Sequence, residues 1–121
     1  MEWTVAFGDE FDEEFKDLAA PVQDELLAHA GLLRVFGPQL GRPHVDTLEG
    51  SSFARMKELR FNADGGVWRI AFAFGPDRKA ILLVAGDKAG VSGKRFYKAL
   101  IERADTRYQR HLDRRLHREK S

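Results

Sequence analysis

The stretch Val67-Trp68-Arg69-Ile70-Ala71-Phe72-Ala73-Phe74 decides the fold. Its even positions are large and apolar, while its odd positions are Val67, Arg69, Ala71 and Ala73. That is the period-two alternation of a strand with a core on one face and one arginine among small residues on the other. Working outward, Arg55 to Phe61 and Lys79 to Ala85 read as two more strands. The connections Asn62-Ala63-Asp64-Gly65-Gly66 and Gly75-Pro76-Asp77-Arg78 are rich in turn formers and short enough for antiparallel neighbours, which predicts a three-stranded meander.

Ahead of the meander, Trp3-Thr4-Val5-Ala6-Phe7 reads as a short strand ending at Gly8, with Asp9 as the N-cap of a helix. Phe11, Phe15 and Leu18 share a face of that helix, and Glu10, Asp12, Glu13 and Glu14 crowd its first turns, where negative charge complements the helix dipole. Pro21 opens a second helix carrying Val22, Leu26, Leu27, Ala30 and Leu33 as far as Phe36, completing a hairpin. From Gly37 to Ser52 periodicity is lost; an irregular loop this long in a small domain points to a functional or partner-facing segment. After a turn over Gly86 to Gly93, Phe96, Leu100, Ala104, Tyr108, Leu112 and Leu116 recur every four residues, predicting a basic helix over about 94–118. The expected architecture is α+β: a small antiparallel sheet, an N-terminal helical hairpin and a long C-terminal helix, in one domain over 1–121.

Composition narrows the function classes. The chain has no cysteine, which removes disulfides, thiolate metal sites and thiol nucleophiles. No apolar run approaches the roughly 18 residues of a membrane span, so a soluble, cytoplasmic protein with no membrane partner is expected. The net charge of +1 conceals a gradient: −8 over residues 1–30, +3 over 31–90 and +6 over 91–121. Either the acidic front pairs with the basic back, or the back forms a surface for nucleic acid. The second reading assigns Lys94, Arg95, Arg107, Arg110, Arg114 and Arg115 to nucleic-acid contact, with the arginines turned outward.

Most familiar chemistries fail on residue type. The turn Gly86 to Lys94 sits between a strand and a helix, but Lys88 and Arg95 occupy positions where a phosphate loop needs Gly and Ser or Thr. The histidines His29, His44, His111 and His117 lack metal-ligand spacing, and Ser51, Ser52 and Ser92 lack a nucleophile elbow. No metal or other cofactor is therefore expected. What remains is a basic set, Lys57, Arg60, Arg69 and Lys88, with Tyr97 one turn into the last helix. Metal-free RNA cleavage needs a base for the 2′-hydroxyl, cations for the phosphorane and an acid for the 5′-oxygen. Arginines suit the second task, leaving proton transfer to Glu58, Lys57 or Lys88.

The order of elements, together with Leu48-Glu49-Gly50, Lys57-Glu58-Leu59-Arg60, Gly66-Val67-Trp68-Arg69-Ile70-Ala71-Phe72, Ala80-Ile81-Leu82-Leu83-Val84 and Phe96-Tyr97-Lys98-Ala99-Leu100, resembles the RelE/HigB/ParE-like toxins of bacterial toxin–antitoxin systems, in particular their HigB-like, phage-derived branch. The resemblance implies a RelE-like fold and a ribosome-dependent mRNA endonuclease, a hydrolase that inhibits translation. It also implies a cognate antitoxin of the helix-turn-helix type that masks the site. Arg69, Arg60, Lys88 and Tyr97 fall on family positions. Met56 and Glu58 stand where the ribosome-dependent nucleases carry paired lysines, and Asp87-Lys88 replaces a Lys-Lys pair. Two alternatives remain open at this stage: a toxin directed at gyrase or otherwise non-nucleolytic, and an inert member that binds antitoxin and nucleic acid.

Overall fold

The alternation in the central stretch places its strand in the middle of a five-stranded sheet. A computed structural model describes residues 2–120, in the order β1 (Thr4–Phe7), α1 (Asp9–Lys16), α2 (Ala20–Phe36), a single 3-10 turn (Gly37–Gln39), β2 (Val45–Thr47), β3 (Met56–Ala63), β4 (Gly66–Gly75), β5 (Lys79–Asp87) and α3 (Gly93–Lys120). The spatial order is β1-β5-β4-β3-β2. The meander is antiparallel as expected. The sheet is not antiparallel throughout, because β1 runs parallel to β5, with Thr4 opposite Lys79 and Phe7 opposite Leu82. A parallel neighbour needs a long crossover, and α1, α2 and the other strands supply it.

Both faces of the sheet are covered. Ile70, Phe72 and Phe74 meet Phe11, Val22, Leu26 and Leu33 from the helical hairpin. On the opposite face, Ala71 and Ala73 lie beneath Phe96, Leu100, Ala104 and Tyr108 of α3. The small odd-numbered residues thus make a floor for a helix rather than an open surface. A register shift between Ala71 and Phe72 inserts one extra residue in β5, and beyond it Gly86 lies opposite Arg69. The bulge turns Gly86 towards α3, where a Cβ would stand 2.8 Å from the Phe96 ring. Glycine is needed there for the helix to sit this close.

Two local expectations need correction. Gly8, not Asp9, is the N-cap of α1, and Asp9 joins Glu10 and Asp12 in the first turn. The Gly8 amide is bonded to the Leu82 carbonyl, so the strand-to-helix junction is fixed by the parallel pair rather than by a capping side chain. The stretch from Gly37 to Ser52 is also not a plain loop. It holds the 3-10 turn and β2, buries Leu48, and is tied to α3 by bonds from Ser51 Oγ and the Ser52 amide to the Asp105 carboxylate. Among the described residues no helix is long and apolar enough to cross a membrane.

Candidate functional site

Cross-strand register builds the site. Arg60 on β3 lies directly opposite Arg69 on β4, and Glu58, two residues back, lies opposite Ala71. All three side chains lie on the α3 face, where the first turns of α3 deliver Tyr97. The Glu58 carboxylate accepts from the Tyr97 hydroxyl at 2.8 Å, and the same oxygen lies 3.3 Å from Arg69 Nε and 3.5 Å from Arg60 Nε. Arg69 Nε also donates to the Tyr97 hydroxyl at 3.3 Å, and its NH1 donates to the Trp68 carbonyl at 2.9 Å. Lys88 Nζ stands 5.5 Å from the centre of the Tyr97 ring, within cation–π range.

Burial sets the electrostatics. Glu58 is 4% exposed and Arg69 7%, whereas the Arg60 side chain remains 32% exposed. Burial pushes the Glu58 carboxyl above its ordinary range, against the opposing effects of Tyr97, Arg60 and Arg69. Burial, reinforced by the Glu58 hydrogen bond, also raises the Tyr97 hydroxyl, so it stays protonated at neutral pH. The cluster therefore contains a carboxylate with enhanced proton affinity beside two permanent cations, plus a neutral phenol that holds the carboxylate in place. These are a base and charge stabilisers, the parts an in-line attack on a phosphodiester needs.

Five of the six predicted catalytic residues meet: Arg69, Arg60, Lys88, Tyr97 and Glu58. Lys57 does not, because it lies opposite Phe72 and faces the hairpin side, where Nζ donates to Thr47 Oγ1 at 2.9 Å. Sequence reading missed Asp46. Its carboxylate lies 3.6 Å from Arg60 NH1 and 2.9 Å from Arg42 NH2, and it accepts from the Thr47 amide. That amide, followed by Arg42, holds the Asp46 carboxyl below its ordinary range. Only the pairing of β2 with β3 brings it there, so no local signal could have found it. Asp87 accepts from the Val67 and Ala89 amides and pins the β5–α3 turn carrying Lys88.

The basic helix divides into two parts. Arg107 grips both Glu14 oxygens at 2.6 and 2.7 Å and donates to the Leu83 carbonyl at 2.8 Å. Arg110 reaches Glu10, Arg114 reaches Asp9 and Glu10, and Arg115 reaches Asp77. The outward orientation expected for these arginines is corrected for Arg107, Arg114 and Arg115, which lie against α1 and the β4–β5 turn, whereas Arg110 stays exposed while pairing with Glu10; acidic front and basic back pair. Lys94 and Arg95, with Lys98, are exposed on the first turns of α3 and have no ion pair among the described residues.

Arg107 should accordingly matter more for stability than for RNA. Its side chain is 13% exposed, and Arg107→Gln should cost about 1–2 kcal/mol after solvent screening. The Arg107 guanidinium holds the Glu14 carboxyl below the ordinary range. The contribution is thus full above the ordinary carboxylate value and is lost as pH falls through the lowered one. Urea unfolding at pH 7 and pH 3 checks this; an equal loss at both pH values would contradict the pairing.

Residues 13–109 match the family described as phage derived protein Gp49-like. A Mycobacterium tuberculosis protein named as a toxin, HigB3, is 52% identical over 81 residues, covering 67% of this chain and 68% of that protein. A second from the same organism, named as toxin HigB2, is 48% identical over 77 residues, covering 63% of this chain but only 38% of that longer protein. Among solved structures, a double arginine-to-alanine mutant of the E. coli toxin RelE in the free state superimposes with a TM-score of 0.57 at 12% identity, covering 85% of this chain and 98% of that one. At that identity the likeness concerns the fold alone.

Proposed function

From the premise that the chain belongs to the phage-derived Gp49-like family of RelE/HigB-like toxins, we propose that it is the toxin of a toxin–antitoxin pair and cuts mRNA on the ribosome without a metal. The observation that carries this reading is the buried Glu58 carboxylate held by Tyr97 between Arg69 and Arg60. Glu58 takes the proton of a 2′-hydroxyl, and the 2′-oxygen forms a bond to phosphorus. Arg60, the solvent-facing cation, and Arg69 behind it stabilise the extra negative charge of the phosphorane. The bond to the 5′-oxygen then breaks, and Lys88 supplies the proton that oxygen needs. The products are a 2′,3′-cyclic phosphate and a 5′-hydroxyl. Tyr97 keeps its own proton and orients the base.

The RNA backbone follows Lys88, Lys94, Arg95 and Lys98, the cations of the β5–α3 turn and the first turns of α3 that stand outside the α1–α3 ion pairs. The family implies an antitoxin partner; a small helix-turn-helix protein encoded by the neighbouring reading frame is the expected form. Action is placed in the cytoplasm, where the ribosomes are.

Induced expression without a partner tests the reading. Growth should stop, and primer extension should reveal cuts inside translated codons that disappear when a 2′-deoxy residue stands at the cut site of a ribosome-bound message. Arrest with intact mRNA and cleaved gyrase-bound DNA would transfer the activity to gyrase. Unchanged growth at verified expression would support an inert member.

A further inference from the structure

Two carboxylates face each other across the β2–β3 pair, Asp46 opposite Glu58. Like charges in that relation destabilise a sheet, and Glu58 is buried as well. What separates them is Arg60. Its Nε lies 3.5 Å from Glu58 Oε1, and its NH1 lies 3.6 Å from Asp46 Oδ2. Neither contact closes into a hydrogen bond, and the Arg60 side chain makes none among the described residues. A guanidinium with uncommitted donors therefore stands between two anions at nearly equal distance.

The neighbouring groups are held where Arg60 is not. Arg69 is buried and donates to Tyr97 and to the Trp68 carbonyl. Asp46 is fixed through both oxygens: Oδ1 accepts from the Thr47 amide at 2.8 Å, and Oδ2 accepts from Arg42 Nε at 3.1 Å. With its carboxyl held below the ordinary range, Asp46 is an anion at neutral pH. Without that charge, Glu58 is the one anion left beside Arg60, and a free guanidinium closes such a gap into a charge-assisted bond. Closure would occupy the oxygen that has to take a proton. It would also turn the solvent-facing cation inward, away from a phosphate.

We propose that Asp46 is a positioning residue that draws Arg60 off Glu58, so that the base and the phosphate-binding cation of one strand stay distinct. The role assigned to that separation rests on the nuclease reading; the separation itself does not. The groups facing Glu58 are Asp46 from β2, Arg60 from its own strand, Arg69 from β4 and Tyr97 from α3, with Lys88 behind the Tyr97 ring. Burial raises the Glu58 carboxyl most and Asp46 adds to it, while Tyr97, Arg60 and Arg69 oppose.

The Glu58 carboxyl can be titrated by NMR in the full chain with isotope-labelled glutamate, its resonance identified by its loss in Glu58→Gln. Asp46→Asn keeps the side-chain shape and an acceptor for the Thr47 amide, so β2 should stay paired. This exchange should weaken proton binding at Glu58 about tenfold, moving the titration to lower pH. In an Arg60→Gln background it should move the titration by no more than about a third as much, because the group through which Asp46 acts is gone. An unmoved titration in Asp46→Asn, or an equal shift with and without Arg60, would overturn the proposal. Cleavage on the ribosome is read separately, and its pH limb should follow the carboxyl. A moved titration in a protein that cuts no RNA would keep the positioning role and sink the nuclease reading. Normal cleavage with an unmoved titration would do the reverse.

Discussion

Glu58→Gln should lower mRNA cleavage by about a hundredfold to ten-thousandfold, the usual contribution of a positioned general base. The exchange keeps the size of the side chain and an acceptor for the Tyr97 hydroxyl, so the first turns of α3 should stay docked. What it removes is the capacity to take a proton. Because burial raises the Glu58 carboxyl, the wild-type rate should rise with pH through a limb lying above the ordinary carboxylate range. Below that limb the base is protonated and idle. In Glu58→Gln the limb should vanish while the residual rate persists, a change that a merely structural role would not produce. Lys57→Gln serves as the control, since Lys57 faces the opposite side of the sheet. Its cleavage rate should match wild type. A base at Lys57 would reverse the two outcomes.

The same raised carboxyl has a consequence for stability. A carboxylic acid that binds its proton more tightly when folded stabilises the protein below its ordinary range, and that contribution fades as pH rises through the raised value. The ion pairs of α1 work in the opposite sense. Glu14 is lowered by Arg107 and stabilises at neutral pH. The site thus costs stability under the conditions in which it would act, and the paired helices α1 and α3 offset part of that cost.

Local periodicity was enough to read the meander, the hairpin and the long helix, because each of them repeats an apolar spacing over several turns or strand pairs. It was not enough for features made by non-local contact. The parallel pairing of β1 with β5 joins residues some 75 positions apart in sequence, and no pattern within Trp3 to Phe7 distinguishes parallel from antiparallel neighbours. The β5 bulge is equally silent, although Gly86 marks where it takes effect. Within the site, Arg60, Arg69, Lys88 and Tyr97 were readable because basic and aromatic side chains stand out against small or apolar neighbours. Asp46 was hidden in an irregular stretch whose short strand forms only against β3. The fate of the C-terminal arginines turned on a choice that charge counting poses and cannot decide. The spacing of Asp9, Glu10 and Glu14 against Arg114, Arg110 and Arg107 settles it, and becomes visible only once α1 and α3 lie side by side.

Arg69 shows how the structure changes an expectation as well as a position. Alternation alone puts it on an open face among alanines, where truncation to alanine would remove activity and leave the fold untouched. In the structure it is 7% exposed and bonded to Glu58, Tyr97 and the Trp68 carbonyl. Arg69→Ala should therefore do two things at once. Loss of a charge contact to the phosphorane should cost about 3 kcal/mol of transition-state stabilisation, on the order of a hundredfold in rate. Loss of a buried ion-pair partner should also cost about 3 kcal/mol of folding stability, roughly 10 °C in Tm, less whatever Glu58 recovers by taking up a proton. A double-mutant cycle separates the two effects. Adding Glu58→Gln to Arg69→Ala removes the stranded carboxylate, so the double variant should regain part of the lost Tm. It should regain none of the cleavage, because base and cation are both gone. Recovery of cleavage along with Tm would mean that neither Glu58 nor Arg69 takes part in the chemistry and that both serve only to hold the fold.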